Sequence, residues 1–296
     1  MKNEKASAVD RGGFGSKLGF VLAAAGSAVG LGNIWCFPYL AAKYGGGIFL
    51  LVYIILAVTF GFSMLITEIA LGRKTGKSVI GAYKDIDKRF APLGWIAAMV
   101  PALILPYYCV IGGWVLKYMM MFITGESSEA ANAVYSSSGG DLSFFEHYIG
   151  LVGQPTFYFI IYVLLGAVVV MLGVEKGIEK VSKFLMPMLL VLIIGIGIYT
   201  LTLDGAAEGL KYYILPNFKG FTFTTFMKTV AGAVGQLFYS MSIAMGIMVT
   251  YGSYMRKEDS LESSVRQIEV FDTLVAFLAG LIIVPAVFVF SGGDAA

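Results

Sequence analysis

The sequence predicts an all-α polytopic membrane protein of about seven transmembrane helices, and three observations predict it. Of 296 residues, 58% are hydrophobic and 14% charged, where a soluble domain carries about 25% charged residues. Too few charges remain to cover a water-facing surface. Apolar runs of roughly 20 residues, enough to cross a bilayer, recur along the chain. Lysine and arginine gather in alternate connections, as in a chain threading back and forth through a membrane.

The spans, in order, fall at 17–40, 48–72, 93–123, 155–173, 182–203, 226–254 and 267–290. The tail before them, 1–16, is polar and basic. It is not expected to be a signal peptide, because the apolar stretch that follows is long enough to span. The tail and its junction hold Lys2, Lys5, Arg11 and Lys17. The second-to-third connection holds Arg73, Lys74, Lys77, Lys84, Lys88 and Arg89, the fourth-to-fifth Lys176, Lys180 and Lys183, and the sixth-to-seventh Arg256, Lys257 and Arg266. Thr124–Gln154 has neither lysine nor arginine. The basic connections are expected in the cytoplasm together with the N-terminus, in a multi-pass protein of the cell membrane. Residues 204–225 mix Glu208, Tyr212, Tyr213 and Pro216 with polar neighbours and read as a short external helix and loop. The chain stops at Ala296, just past the seventh span, as expected of a fragment.

Composition also excludes function classes. Cys36 and Cys109 both lie in apolar runs, so no disulfide framework is expected. His147 is the only histidine, which argues against a histidine-built metal site or a Ser-His-Asp triad. There is no HExxH, no nucleophile elbow and no pair of intramembrane aspartates, Asp294 lying beyond the last span; an enzyme is not expected. No basic cluster is interleaved with aromatics, so no nucleic-acid partner is expected, and the main partner is the lipid bilayer. The helix count alone would also suit a seven-span receptor, but such receptors place the N-terminus outside.

Two spans are unusual. The first reads Ala25-Gly26-Ser27-Ala28-Val29-Gly30-Leu31-Gly32-Asn33, and the sixth Gln236-Leu237-Phe238-Tyr239-Ser240-Met241-Ser242-Ile243-Ala244-Met245-Gly246. Small residues can serve close helix packing in membranes. They also make unwinding inexpensive, since glycine disfavours helix. Backbone groups released at mid-membrane must line a protected cavity. There, carbonyls hold a cation and the freed helix N-terminus attracts an anion. Two such interruptions five spans apart are the pattern of an inverted-repeat transporter.

At these residues the sequence resembles the neurotransmitter:sodium symporter family. Ala25 to Trp35, followed by Phe37-Pro38-Tyr39, is similar to that family's first-helix motif. So are Gly45-Gly46-Gly47, Glu68-Ile69-Ala70-Leu71-Gly72-Arg73 and Thr250-Tyr251-Gly252-Ser253-Tyr254. The resemblance covers nearly all of the chain after Arg11 and is prokaryotic in type; the inverted-repeat rule itself draws on this family. It implies sodium-coupled symport of an amino acid by alternating access, with residues 17–203 as the first repeat and 226–296 as the start of a second. A symporter of the same architecture for another small solute is the alternative. Without the second-half helices, poor stability and no coupled transport are expected of the chain.

The resemblance also implies site residues. Sodium, a hard cation, takes oxygen ligands. The first site would use the Ala28 carbonyl, the Asn33 amide oxygen, Ser240 and Asp272; the second would use the Gly26 and Val29 carbonyls and ligands from an eighth helix. Asp272 is the sharpest candidate, because an acid inside a membrane helix costs several kcal/mol unless paired or solvated. The bland alternative is that it pairs with Arg266. Chloride-dependent members carry no acid here, and Tyr53, Gln236 and Ser240 match the positions around their chloride. A carboxylate at Asp272 would make chloride unnecessary. The substrate carboxylate would meet Leu31, Gly32 and the Tyr108 hydroxyl, and its ammonium carbonyls near Ala28, Tyr239 and Ser242. Ile104, Tyr108, Tyr239 and Met245 would wall a hydrophobic or aromatic side chain, with methionine adapting to its shape. Arg11, Tyr239 and Tyr254 would serve gating. The chain departs from the pattern at Cys36, where the family usually has a gate arginine, at Phe14, often tryptophan, and at Ala244, commonly glycine. Glu68 is expected to tie helices together and Lys117 to snorkel outward.

Overall fold

The computed structural model describes residues 13–137 and 140–291, and these are overwhelmingly helical. Ser16 accepts the Gly19 N–H and so starts α1, Lys17–Ala28. A break at Val29 and Gly30 leads into a π-helical turn, Gly32–Cys36, and α2, Phe37–Lys43. Helices α3, Gly47–Leu56, and α4, Phe62–Thr75, are joined without a break by a π turn, Ala57–Gly61. Helix α5, Val79–Ile86, and a 3-10 turn, Lys88–Phe90, lead to the long α6, Ala91–Thr124, which contains Pro101 and Pro106.

Beyond α6 come α7, Ser127–Asn132, an antiparallel hairpin of β1, Val134–Ser137, with β2, Gly140–Ser143, and α8, Phe144–Gly150. Helix α9, Gly153–Met171, is followed by a π turn, Val174–Glu179, and α10, Lys180–Leu201. The chain closes with α11, Ala206–Ile214, α12, Phe223–Ser240, α13, Ile247–Ser253, and α14, Leu261–Phe290.

Among the described residues, five helical stretches are long and apolar enough to cross a membrane: Gly47–Thr75, Lys88–Thr124, Gly153–Met171, Val174–Leu201 and Leu261–Phe290. The pair Lys17–Ala28 and Gly32–Lys43, bent by 52°, makes a sixth if counted as one span. The predicted sixth span is present as α12 and α13, but its interruption and its polar residues keep it outside a count by length and composition. The last span begins at Leu261 rather than 267: Ser260 accepts the Ser263 N–H and caps a polar first turn that hydropathy cannot see. The segment 124–154, read as a loop, holds two short helices and the hairpin. There Ser143 and Glu146 form a capping box.

The chain falls into two compact units, Met99–Gly173 and the residues on either side of it. Within Met99–Gly173, α6 packs on α9 through glycine: a Cβ at Gly113 would lie 2.8 Å from the Phe159 backbone nitrogen. Lys117 lies 3.9 Å from Glu126 and 5.8 Å from the centre of the Tyr158 ring.

The other unit holds the core. Phe20, Phe37, Phe49 and Tyr53 are fully buried, with Phe37 edge-on to Tyr53 at 4.8 Å and to Phe49 at 5.5 Å. Such ring pairs contribute about 0.5–1.5 kcal/mol each beyond area. Between membrane helices packing must replace the hydrophobic drive, and the motif glycines supply it. At Gly72 an added Cβ would strike the Val249 carbonyl, and at Gly252 the Ile69 carbonyl, so α4 and α13 touch backbone to backbone. Gly46, at φ +54°, lies against the Tyr212 carbonyl and bridges to Pro216.

Candidate ion and substrate site

Both interruptions expected from the sequence are present. In the first span the helical ladder reaches Val29 N–H to Ala25 O, after which Val29 turns extended at ψ 112°. The ladder restarts one turn on, with Asn33 and Ile34 N–H donating to Gly30 O. The Gly30 N–H, which a continuous helix would send to Gly26, donates instead to Asn33 Oδ1 at 3.2 Å. The Gly26 carbonyl thereby loses the donor that a continuous helix would give it.

The second interruption is longer. It runs from Met241 to Gly246, with left-handed backbone at Ser242 (φ +55°), Ala244 (φ +62°) and Gly246 (φ +68°). Glycine tolerates this region, whereas an L side chain costs roughly 1–2 kcal/mol there. The strained stretch is propped from outside: the Ala244 N–H donates to Glu68 Oε1 of α4 at 2.6 Å. Glu68 therefore does tie helices together, but it does so by capping the break itself.

Asp272 joins the two interruptions. It is fully buried, three turns into α14. Asn33 Nδ2 donates to its Oδ1 at 2.8 Å and to its backbone carbonyl at 3.0 Å. Ser240 Oγ lies 3.0 Å from both carboxylate oxygens. The Tyr53 hydroxyl is buried beside this carboxylate and Ser240. Gln236 Nε2 donates to Gly32 O at 2.7 Å and ties the broken spans together a second time. Arg266, the bland alternative partner of Asp272, pairs with Glu262 at 3.1 Å.

The structure thus brings together Asn33, Ser240 and Asp272, with Gly32 packed against Tyr239 and Ser240, where a Cβ would lie 3.1 Å from Tyr239 Cδ1. Ser242 Oγ reaches the Ser27 carbonyl at 3.5 Å, beside Ala28. Gly26 faces Met186. Leu31 opens the second half of the first span and Met245 lies within the second break. Ile104 and Tyr108 belong to α6 in the other compact unit, on either side of Pro106. Of the gating residues, Arg11 lies outside the described residues. Tyr254 accepts the Phe14 N–H at 3.3 Å, and Phe14 stacks on Tyr251 with ring centres 6.0 Å apart.

Two buried acids escaped the sequence reading, Glu269 of α14 and Glu179. Glu179, 2% exposed, accepts the Gly15 N–H at 2.7 Å, the Ser16 hydroxyl at 3.1 Å and Lys183 at 2.6 Å. It pins the start of α1 to the start of α10. In sequence it is one of two glutamates in a lysine-bearing connection, and nothing local separates it from Glu175.

The site gathers one buried carboxylate and oxygen donors of the kind a hard cation takes, between two helix breaks. The chain is similar to known proteins. The sequence profile of the sodium:neurotransmitter symporter family matches residues 11–137 and 123–292. A sodium-dependent transporter of Bacillus subtilis, YhdH, is 39% identical over 93% of this chain and 59% of its own length. A sodium-dependent transporter of Haemophilus influenzae is 32% identical over 93% of this chain and 61% of its length. The mouse sodium- and chloride-dependent GABA transporter 2 is 28% identical over 95% of this chain and 52% of its length. Among solved structures, MhsT in complex with L-phenylalanine matches with a TM-score of 0.84 at 37% identity, over 96% of this chain and 63% of MhsT. The chain spans about 60% of the length of the nearer curated relatives. On the extent of these matches, the chain belongs to the sodium:neurotransmitter symporter family, a family of transporters rather than enzymes.

Proposed function

We propose that this chain supplies the ion and substrate site of a longer protein that performs sodium-coupled symport of a hydrophobic or aromatic amino acid by alternating access, without a requirement for chloride. The observation that carries this reading is the buried Asp272 carboxylate, bonded to Asn33 from the first interrupted span and to Ser240 from the second. A buried carboxylate needs a compensating partner, and a sodium ion among the Ala28, Asn33 and Ser240 oxygens supplies one. The substrate's own carboxylate would complete that shell beside Leu31 and Gly32, which couples substrate to ion. Its ammonium would face the carbonyls released near Ala28, Tyr239 and Ser242, and the flexible Met245 would adapt to its side chain. Gly26 and Val29 would contribute carbonyls to a second sodium.

The likeness to MhsT, seen with L-phenylalanine, supports an aromatic substrate. The basic connections support a cytoplasmic N-terminus in a cell-membrane protein, with Phe14 and Tyr254 toward the inner face. One charge moving down 100 mV supplies about 2.3 kcal/mol, and a tenfold sodium gradient about 1.4 kcal/mol more. Together these support accumulation on the order of 500-fold per sodium.

The test is phenylalanine uptake into proteoliposomes that hold the longer protein, with sodium replaced by potassium, and separately chloride by gluconate. The first exchange is expected to abolish uptake and the second to leave it within about twofold. Loss of most uptake in gluconate would overturn the chloride assignment, and uptake in potassium would overturn sodium coupling.

A further inference from the structure

The ion and substrate site leaves unused a basic pocket at the end of α4. It is open, about 440 Å³ in volume, and lined by Ala70, Arg73 and Lys74 of α4 and by Lys257 and Leu261, where the connection from α13 enters α14. The neighbouring acids are engaged elsewhere. Glu258 and Asp259 lie 3.9 and 3.4 Å from Arg256, Glu262 lies 3.1 Å from Arg266, and Asp85 lies 2.7 Å from Lys77. Among the described residues no carboxylate pairs with Arg73, Lys74 or Lys257. Arg73 donates to the Lys257 carbonyl, which fixes its guanidinium on the pocket wall. A helix C-terminus favours basic residues through its dipole. That accounts for Arg73 and Lys74, but not for Lys257 or for the recess that gathers all three.

We infer that this pocket binds the phosphate headgroup of an anionic membrane phospholipid. Both helices that bound it, Gly47–Thr75 and Leu261–Phe290, are long and apolar enough to span, so their ends set it at the lipid–water boundary. Ala70 and Leu261 offer an apolar wall to the glycerol and the first acyl carbons. Arg256, next in sequence to Lys257, donates to the Gly15 carbonyl at 3.1 Å, so the pocket shares a face with the N-terminal segment. On the orientation proposed above, that face meets the cytoplasmic leaflet, whose anionic lipids attract basic groups.

The test is native mass spectrometry of the detergent-solubilised protein titrated with phosphatidylglycerol or phosphatidylcholine. It does not depend on membrane orientation or on transport, so its failure is separable from failure of the symport reading. The wild type is expected to retain phosphatidylglycerol on the order of tenfold more tightly than phosphatidylcholine. The combination Arg73→Gln, Lys74→Gln and Lys257→Gln should weaken it by roughly 10- to 100-fold. Removing the same charge nearby, with Lys84→Gln, Lys88→Gln and Arg89→Gln, should leave it within about twofold. Lys257→Glu, a change at one exposed side chain, should lose about tenfold by itself and keeps the test open should the triple variant fail to fold. Equal affinity for the two lipids, retention by both pocket variants, or equal loss in the Lys84 set would overturn the proposal. Displacement by millimolar glycerol 3-phosphate would assign the pocket to a soluble phosphate instead.

Discussion

The two helix interruptions meet at one carboxylate, yet they are built differently. The first is short and repaired from within: Asn33, three residues on, takes the Gly30 N–H that the helix gives up. The second is six residues long, carries three left-handed residues, and is held from outside by Glu68. A break closed by its own side chain costs the fold little. A break propped by another helix depends on that helix staying in place, so the second interruption is the one whose geometry follows movement of α4.

Asp272 is where the comparison is broken most severely, because both interruptions end on it. Asp272→Asn is expected to lower sodium affinity on the order of 100-fold, the size of a lost buried ionic partner. Sodium-dependent phenylalanine binding by scintillation proximity measures it; affinity within threefold of wild type would remove Asp272 from the ion site.

Glu68→Ala comes next and isolates the second break. It leaves the Ala244 N–H without its acceptor, at about 1–3 kcal/mol, and should lower the melting temperature by roughly 5 °C.

Gly32→Ala probes the contact between the two segments. Its Cβ would lie 3.2 Å from the Ser240 Cα, and such overpacking costs about 1–3 kcal/mol. Binding of sodium and phenylalanine should weaken about tenfold. Gly235→Ala, which meets open space, should leave binding unchanged. The smallest effect has the opposite sign. Ala244→Gly relieves a left-handed alanine and should raise the melting temperature by about 1–3 °C.

Much of this architecture was legible beforehand. Apolar runs reveal spans directly, and the glycines and serines at Gly26–Gly32 and Ser240–Gly246 mark where helix is weak. Asp272 stood out because an acid is costly at that depth. The ends of the spans were less legible. Hydropathy places the last span at 267, whereas a serine cap extends α14 back to Leu261. The capping of Ala244 by Glu68, across 176 positions, and the grip of Glu179 on Gly15, across 164, have no local trace.

The sequence by itself determined that the chain is helical, which stretches are apolar enough to span and where its helices are weak. Each of these follows from the residue types in one local stretch. The family resemblance had grouped Asn33, Ser240 and Asp272; only the tertiary structure decided that Asn33 and Ser240 hydrogen-bond directly to Asp272, that Glu68 holds the second break and that Gly72 and Gly252 let α4 touch α13. Those depend on which backbone and side-chain groups meet across 32 to 239 positions of chain, and hydrogen bonding and close packing act on proximity in space.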